Sequence, residues 1–438
     1  MKPQWLSAAL GTLIGRYRDR AMSFVDQALL GLSALAINII LARYLSVLTF
    51  ASVSMMMGAY YFVFNVHRSA IVLPYILESS AITKDDNCQR SWWTANVVFL
   101  SVATASLALF AFVLRIFVAG TPAFAWISDA AFYLLLTTPP LLAFEYGRRV
   151  LYQQERMTAV TSISATYLTA GIAAAALGSC LGSENIASLA FAAAGMSGFI
   201  VFLCIARPKG STLSSAWAIW TPHAKFAAWQ SATSIPYNLY AVAPVVLIGL
   251  FAGPTSAAIF WAARTVVSPA FSMVSAVDSI DKPRAARAMA SAGVPGLHSS
   301  ISETRKLLLV LAGGYLAAVA IFAPAVLDLA FGPRYTEHST AVRILALSFL
   351  CMCLNQPVET MLIVLRRVRP LFYVRSAAAI AVTLGIWVGE RTLGTYGAIW
   401  AIALVQLGVL LILSIIEISI KRLEIRGKPN FTEPTSHS

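Results

Sequence analysis

Long apolar runs alternate with short polar segments along almost the whole chain. A helix that crosses a bilayer needs about 20 predominantly apolar residues, and this criterion predicts twelve spans. Their approximate ranges are 22–42, 48–66, 92–114, 129–147, 158–179, 186–206, 226–251, 256–277, 307–330, 342–364, 371–389 and 394–418. Only a few residues separate neighbouring spans, so they must form antiparallel hairpins. The pattern therefore predicts an all-α integral membrane protein.

Composition supports this prediction. Of the 438 residues, 58% are hydrophobic and only 12% are charged, and the mean hydropathy is +0.74. A soluble protein of this length could not bury so much apolar surface. The five cysteines lie in or beside apolar segments without metal-ligand spacing. We also find no common hydrolase, phosphate-loop or metalloprotease motif, so we expect no enzymatic activity, cofactor or metal.

The positive charge is concentrated in the segments between predicted spans. The net charge is +13, but the basic residues form short clusters and no continuous patch, which argues against nucleic-acid binding. Sorting them onto alternate sides puts 26 of the 32 on one side. The positive-inside rule makes that side cytoplasmic, with both termini. The six exceptions are Arg43, Arg115, Arg264, Arg334, Arg343 and Arg391.

The basic segment 207–225 divides the chain into two similar parts. We expect an N-terminal six-helix bundle at 22–206 and a C-terminal one at 226–420. Residues 1–21 form a cytoplasmic leader, either an interfacial amphipathic helix or disordered, and the polar tail 421–438 is expected to be disordered. Two such repeats are typical of transporters that handle their substrate between the repeats.

One stretch, residues 229–281, stands out because it carries Arg264 inside a predicted span. A charge at mid-span costs at least about 2.5–3.5 kcal/mol on insertion scales, so it normally faces a cavity or a partner. Arg264 could bind an anionic substrate in a cavity. It could instead form a structural ion pair with Glu359, Asp26 or Asp278, or lie nearer the membrane surface than its span suggests.

Polar side chains also form stripes on the leading hairpins of both bundles. Residues separated by three, four or seven positions share one face of a helix, and such stripes either line a cavity or pack helices together. Three stripes in these hairpins favour a shared polar cavity. With Arg264, the predicted substrate-binding residues are Gln27, Asn38, Tyr61, Asn65, Arg68, Gln230, Ser234, Tyr237 and Asn238.

Two carboxylates are candidates for a coupling ion. Glu359 lies within the tenth predicted span, where it could bind a proton or cation or pair with Arg264. Asp26 lies one turn into the first span and could equally be a solvated acid at a helix start.

Four stretches carry a family likeness: DQALLGLSALAINIILARYLSVLTFASVS, HAKFAAWQSATS leading to VLIGLFAGPTSAAIFWAA, FGPRYTEHSTAVRILALSF, and GTYGAIWAIALVQ. Together they resemble the polysaccharide-transporter branch of the multidrug/oligosaccharidyl-lipid/polysaccharide exporter superfamily, the O-antigen flippase type. The first departs from the family pattern, which often has Gly-Pro and Phe-Gly where this chain has Ser46-Val47 and Phe50-Ala51. The related lipid II flippases typically have fourteen spans, so twelve argues against that assignment.

The resemblance implies two six-helix bundles arranged as a V, the MATE-like exporter fold, working by alternating access. The implied substrate is an undecaprenyl-pyrophosphate-linked oligosaccharide, flipped across the bacterial inner membrane for surface polysaccharide or lipopolysaccharide synthesis. Membrane lipid, a polysaccharide polymerase and chain-length machinery are the implied partners. Two alternatives stay open: a cation-coupled drug or small-molecule exporter of the same fold, and a membrane-embedded polysaccharide polymerase or glycosyltransferase.

Overall fold

The computed structural model describes residues 4–81, 86–119, 121, 124–365 and 367–425. Over these residues the protein consists of helices joined by short connections. The first half contains α1 (Gln4–Tyr44), α2 (Val47–His67), α3 (Leu73–Ala81), α4 (Asp86–Val118), α5 (Ala125–Gln153), α6 (Met157–Cys180), α7 (Glu184–Ser188) and α8 (Ala190–Ala206). The linker carries α9 (Leu213–Trp220). The second half contains α10 (Ala224–Tyr237), α11 (Pro244–Val267), α12 (Pro269–Leu308), α13 (Gly314–Ile321), α14 (Ala323–Phe331), α15 (Pro333–Thr336), α16 (Ser339–Val364) and α17 (Val368–Ile425).

Nine helical stretches within the described ranges are long and apolar enough to cross a membrane. In lipid every backbone polar group must find a partner inside the protein, which a helix provides within its own segment. The outer face of α4 exposes Leu109, Phe112 and Phe117, as expected for a surface that contacts acyl chains. The protein is a multi-pass membrane protein.

Three of the long helices reverse direction at a single glycine. Gly253 in α11, Gly293 in α12 and Gly394 in α17 have φ of 83°, 62° and 62° with ψ near ±150–180°, a conformation that is essentially restricted to glycine. The chain returns antiparallel each time; in α12, Asp281 accepts a hydrogen bond from Thr304 across the turn. The turn between the predicted spans 226–251 and 256–277 therefore begins at Gly253.

Helices also extend into two segments between predicted spans, 67–91 and 278–306. Residues 67–81 continue α2 through a π-helical segment, Arg68–Val72, into α3. Most of the segment 278–306 is a helical hairpin that turns at Gly293. At the chain start, α1 begins at Gln4 and runs without interruption past residue 22, so the leader predicted at 1–21 is largely part of the first helix. The predicted disordered tail at 421–438 is helical to Ile425 and otherwise lies outside the described residues.

The two ends of the bundle differ. We call the end that carries Leu45, Gly253, Gly332 and Gly394 the distal end, and the opposite end, with the linker that follows Ala206, the basic end. The halves contact each other at the distal end, where Arg43 donates to the carbonyl of Ala330 at 2.8 Å. Arg334 returns the contact, donating to the carbonyl of Leu45 at 2.9 Å.

Deeper in the bundle, α2 packs tightly on α11. Gly58 permits this approach, because a Cβ there would lie 2.4 Å from Val245. Small residues at helix crossings let backbones approach closely in membrane proteins. The two halves therefore share a close-packed interface between α2 and α11.

Candidate functional site

Arg264 lies at the interface of the two halves. It follows Gly253 by eleven residues, about 16 Å of helix at 1.5 Å per residue. Its guanidinium lies over the rings of Phe349 and Trp261, with centroids at 5.4 and 5.9 Å. Within the described part of the chain, no carboxylate lies within ion-pairing distance of it. Arg264 is therefore an interior cation held by aromatic faces.

The broken helix before Arg264 supplies its one hydrogen-bond acceptor. Residues Asn238–Val242 form a π-helical turn, and Pro244 has no N–H to donate back to this turn. The carbonyls that this leaves free bond to neighbouring helices: Arg264 Nη1 donates to Ala241 at 3.3 Å and Gln406 reaches Tyr240 at 3.5 Å. A proline here is expected to leave backbone carbonyls without a helical partner, and this is observed. Arg264 is one of the groups that donate to these carbonyls.

A second unpaired arginine comes from the other half. Arg68 begins the π-helical segment that follows α2, and its side chain is exposed. Tyr237 lies within electrostatic range of both Arg68 and Arg264, and Tyr61 lies within range of Arg264. Tyr61 and Tyr237 therefore both lie near Arg264, and Tyr237 also lies near Arg68 from the other half.

The predicted pairing of Arg264 with Glu359 or Asp26 is wrong. Glu359 instead binds Arg375 at 2.8 Å, and Asp26 binds Arg148. The side chain of Asp278, the third proposed partner, lies outside the described residues. Asp26 is also not a solvated acid at a helix start: it is fully buried and accepts hydrogen bonds from Tyr152 at 2.6 Å and from Ser164.

Three other carboxylates near this region are paired with arginines. Glu145 on α5 binds Arg148 at 2.6 Å and Arg149 at 2.7 Å. The three carboxylates Asp26, Glu145 and Glu359 are thereby matched by Arg148, Arg149 and Arg375. Among the described residues of this region, Arg68 and Arg264 remain without an acidic partner. The region between the halves therefore carries excess positive charge.

The polar stripes on α2 and α10 meet across the interface. Asn65 donates to the side-chain carbonyl of Asn238 at 2.7 Å. Beside this pair lies a cleft of about 440 Å³ between α2, α4 and α10, lined almost entirely by apolar side chains such as Phe62 and Phe99. Its other lining residues include Ile235, which is exposed on the bundle surface. The cleft thus leads from the polar pair toward the lipid-facing surface.

The other predicted site residues have different positions. Asn38 is buried and accepts a hydrogen bond from Trp261 at 2.9 Å, so its carbonyl oxygen holds α1 against α11. Gln27 is exposed on α1 and reaches Asp26 only at 3.5 Å. Ser234 lines the apolar cleft, and its hydroxyl donates to the backbone of Gln230 at 2.8 Å.

Sequence analysis missed Arg375 and the cluster around Glu145. Arg375 was sorted with the cytoplasmic arginines, yet it stacks 4.7 Å above the Tyr237 ring. The sequence did contain a signal for this position. Arg375 is separated from the basic cluster that ends at Arg369 and lies inside an apolar run. Arg148 and Arg149 were also sorted as loop residues, but they follow Glu145 at the three- and four-residue spacing of helical ion pairs. Among the described residues no group of His, Cys, Asp and Glu could hold a metal ion.

No protein-family profile and no curated protein matches the sequence, but solved structures match the fold. A MATE transporter in complex with MaD3S has TM-score 0.62 and 13% identity, with 94% of this chain and 96% of that chain covered. The lipid II flippase MurJ, inward closed, has TM-score 0.65 and 12% identity over 92% and 87%. A MOP superfamily transporter from Pyrococcus furiosus, described by the reverse polarity of its binding pocket, has TM-score 0.61 and 13% identity over 94% and 96%. The chain therefore has the fold shared by the MATE and MurJ transporters.

Proposed function

We propose that this protein is a flippase for an amphiphile with an anionic head, a lipid-linked oligosaccharide of the undecaprenyl-pyrophosphate type. The observation that carries the proposal is the pair of described arginines without acidic partners, the exposed Arg68 on one half and the interior Arg264 on the other. A pyrophosphate between them would supply the missing negative charge. Arginine is well suited to this task because its planar fork binds phosphate oxygens in a bidentate manner.

The sign of the interior charge argues against the first alternative, a cation-coupled drug exporter of the same fold. A site for cationic drugs would be expected to present an unpaired carboxylate. Near Arg264 the described carboxylates Asp26, Glu145 and Glu359 are each bound to arginine, whereas the buried Asp281, in the α12 hairpin, accepts a hydrogen bond from Thr304. That a relative of the same fold is described by reverse polarity of its binding pocket supports pocket charge as a feature that varies within this fold.

The surroundings of the arginines suit the rest of such a substrate. The polar groups of Tyr61, Tyr237 and the Asn65–Asn238 pair can bind sugar hydroxyls, and the two tyrosine rings can stack on sugar rings. The apolar cleft beside that pair could hold the first part of the lipid tail. A lipid II flippase has this fold, so the fold can accommodate a lipid-linked substrate. The structural relatives are transporters and a flippase, which argues against the second alternative, a polymerase or glycosyltransferase.

The topology proposed with this function has twelve spans and cytoplasmic termini in a bacterial inner membrane. The basic end then faces the cytoplasm and the distal end the exterior. Rocking of the halves would break the distal contacts of Arg43 and Arg334 and open the site outward. A polysaccharide polymerase and its chain-length machinery would be the downstream partners.

The test is transport in proteoliposomes that contain a fluorescent undecaprenyl-pyrophosphate oligosaccharide. We expect Arg264→Ala to lower the flipping rate roughly tenfold to a hundredfold, because a hydrogen bond to a charged group contributes about 1.5–3 kcal/mol. Arg264→Lys should retain part of the activity, since it keeps the charge and loses the bidentate geometry. Arg115→Ala, which removes an exposed arginine of α4, is the matched control.

Two measurements keep the outcome clear. Melting midpoints of the purified variants separate lost transport from lost folding, since Arg264 also donates to Ala241. A parallel assay with a cationic dye tests the exporter alternative. Full flipping activity in a folded Arg264→Ala variant would refute the proposed role, and dye export that requires Glu359 would favour the exporter.

A further inference from the structure

A second cavity lies at the basic end, where the first half joins the linker. It has a volume of about 220 Å³ and lies between α4, α5, α8 and the first residues of the linker. Its polar lining consists of Asp86, Gln89, Arg90, Gln154, Arg207 and Lys209. None of the residues proposed above to bind the transported substrate lines it. The cavity is therefore separate from the region around Arg68 and Arg264.

The lining has an excess of positive charge. Arg90, Arg207 and Lys209 oppose the single carboxylate of Asp86, so the cavity carries a net charge of about +2 at neutral pH. Gln89 and Gln154 add neutral amide donors. Guanidinium, ammonium and amide donors around one concave space are the groups that recognise a phosphate or a similar oxyanion.

Tyr75 adds an unused donor to this wall. Its side chain is 1% exposed and lines the cavity, and its hydroxyl has no hydrogen-bond partner among the described residues. The Tyr75 ring contacts Tyr146, with centroids 5.7 Å apart. A buried hydroxyl without a partner costs about 1–3 kcal/mol. A bound acceptor would remove that cost.

The backbone holds Arg207 at the mouth in a conformation that favours glycine. Arg207 ends α8 with φ 44° and ψ 55°, a left-handed geometry that costs a side chain about 1–2 kcal/mol and is usually occupied by glycine after a helix. The linker beyond it is fixed to α4, because the Ser211 amide donates to Thr94 Oγ1 at 2.8 Å. A cation therefore occupies a position where local structure alone would select glycine.

We propose that this cavity binds a phosphate group through Arg90, Arg207, Lys209 and the Tyr75 hydroxyl. The ligand is either a free phosphate compound or the headgroup of an anionic phospholipid in the adjacent leaflet, because both present the same chemistry at this end of the bundle. Since the site lies where the first half joins the linker, its occupancy would act on the segment that connects the two moving halves.

The experiment uses the purified full-length protein in two arms. In detergent, inorganic phosphate is titrated at constant ionic strength, with chloride as the reference anion, and binding is measured by calorimetry. In nanodiscs, native mass spectrometry counts phosphatidylglycerol molecules retained against phosphatidylcholine. Binding in the first arm identifies a phosphate group as sufficient, and binding only in the second identifies a lipid headgroup; either result supports the site.

Arg207→Gly is the decisive variant. It removes a cation and places glycine where the backbone favours it, so we expect an unchanged or higher melting midpoint and an affinity at least tenfold lower in whichever arm binds. Tyr75→Phe should weaken binding a few-fold without loss of stability. Arg156→Gln, which removes an exposed arginine at the same end outside the cavity lining, should bind like the wild type. Binding in neither arm, or equal binding by Arg207→Gly, would overturn the proposal.

Discussion

The two halves of the molecule neutralise their interior charge in different ways. In the first half, Asp26, Glu145, Arg148 and Arg149 form one network that connects α1 to α5, and Arg148 is 3% exposed. In the second half the pair of Glu359 with Arg375 lies beside Tyr237, and the arginine side chain is 21% exposed. The Asp26–Arg148 pair at the centre of the first network is enclosed, although Arg149 at its edge is 32% exposed, whereas the second pair borders the region between the halves.

This difference indicates separate roles for similar chemistry. The network in the first half has additional hydrogen bonds from Tyr152 and Ser164, and it fixes the relative position of three helices. If one of its residues moved away, a buried charge would be left unpaired. The pair in the second half can exchange partners with less loss, since part of it is solvent-accessible. Of the two carboxylates predicted to bind a coupling ion, we therefore favour Glu359 for that role and propose a structural role for Asp26.

The largest effect should follow from Asp26→Asn. Removing one partner of a buried ion pair costs about 3–5 kcal/mol, and Asp26 is fully buried against Arg148. We expect a large fall in the melting midpoint of the detergent-solubilised protein. Adding Arg148→Gln should recover part of that loss, because Glu145 keeps Arg149 as a partner. A single variant as stable as the wild type would refute the structural role of this network.

Glu359→Gln should lower the stability less than Asp26→Asn does, but it should lower transport more. The change weakens a partly exposed ion pair and should cost about 2 kcal/mol, while Arg375 loses its partner beside the proposed substrate site. We expect roughly tenfold slower flipping in proteoliposomes and a fall in melting midpoint well below that of Asp26→Asn. Glu303→Gln, at an exposed ion pair with Arg284, is the control and should change neither. If the two stability losses were equal, the contrast between the halves would fail.

The smallest effect concerns Glu184, where the halves meet at the distal end. Partial burial raises the pKa of this carboxyl, but hydrogen bonds from Thr49 and Ser46 outweigh burial and, with Arg334 nearby, hold the pKa below its usual range. A lowered folded-state pKa stabilises the protein above the unfolded value of about 4.3. That contribution is lost as the pH falls through the folded-state pKa.

Glu184→Gln tests this linkage. We expect it to cost about 1 kcal/mol at pH 7, the approximate difference between charged and neutral hydrogen bonds, and progressively less as the pH falls below about 4. Melting midpoints of the wild type and the variant across pH provide the measurement. Glu155→Gln, at an exposed acid of the basic end, should show no such convergence. A stability gap at Glu184 that does not change with pH would contradict the expected linkage.

Much of the site could be predicted from residue types and spacing. Arg264 was identified because a lone cation in an apolar run is costly, and Tyr61, Arg68 and Tyr237 because helical periodicity puts each on a polar face. The structure places both tyrosines near Arg264, and Tyr237 also near Arg68. The arginines that pair with the interior carboxylates were not predicted in this way. Arg148 and Arg149 were sorted with the cytoplasmic segments because they follow the predicted span 129–147, and Arg375 was sorted there although it lies within the predicted span 371–389. The helix α5 extends beyond its apolar run and carries Arg148 and Arg149 inward.

Hydropathy, spacing and charge by themselves determined that the chain is a bundle of membrane helices with an arginine inside one span. These properties follow from local energetics, namely the cost of unpaired backbone and charge in lipid. Only the tertiary structure decided which carboxylate each arginine contacts, and so which two arginines remain unpaired. Ion pairs join residues over a hundred positions apart, such as Asp26 and Arg148, and their choice depends on how the helices pack.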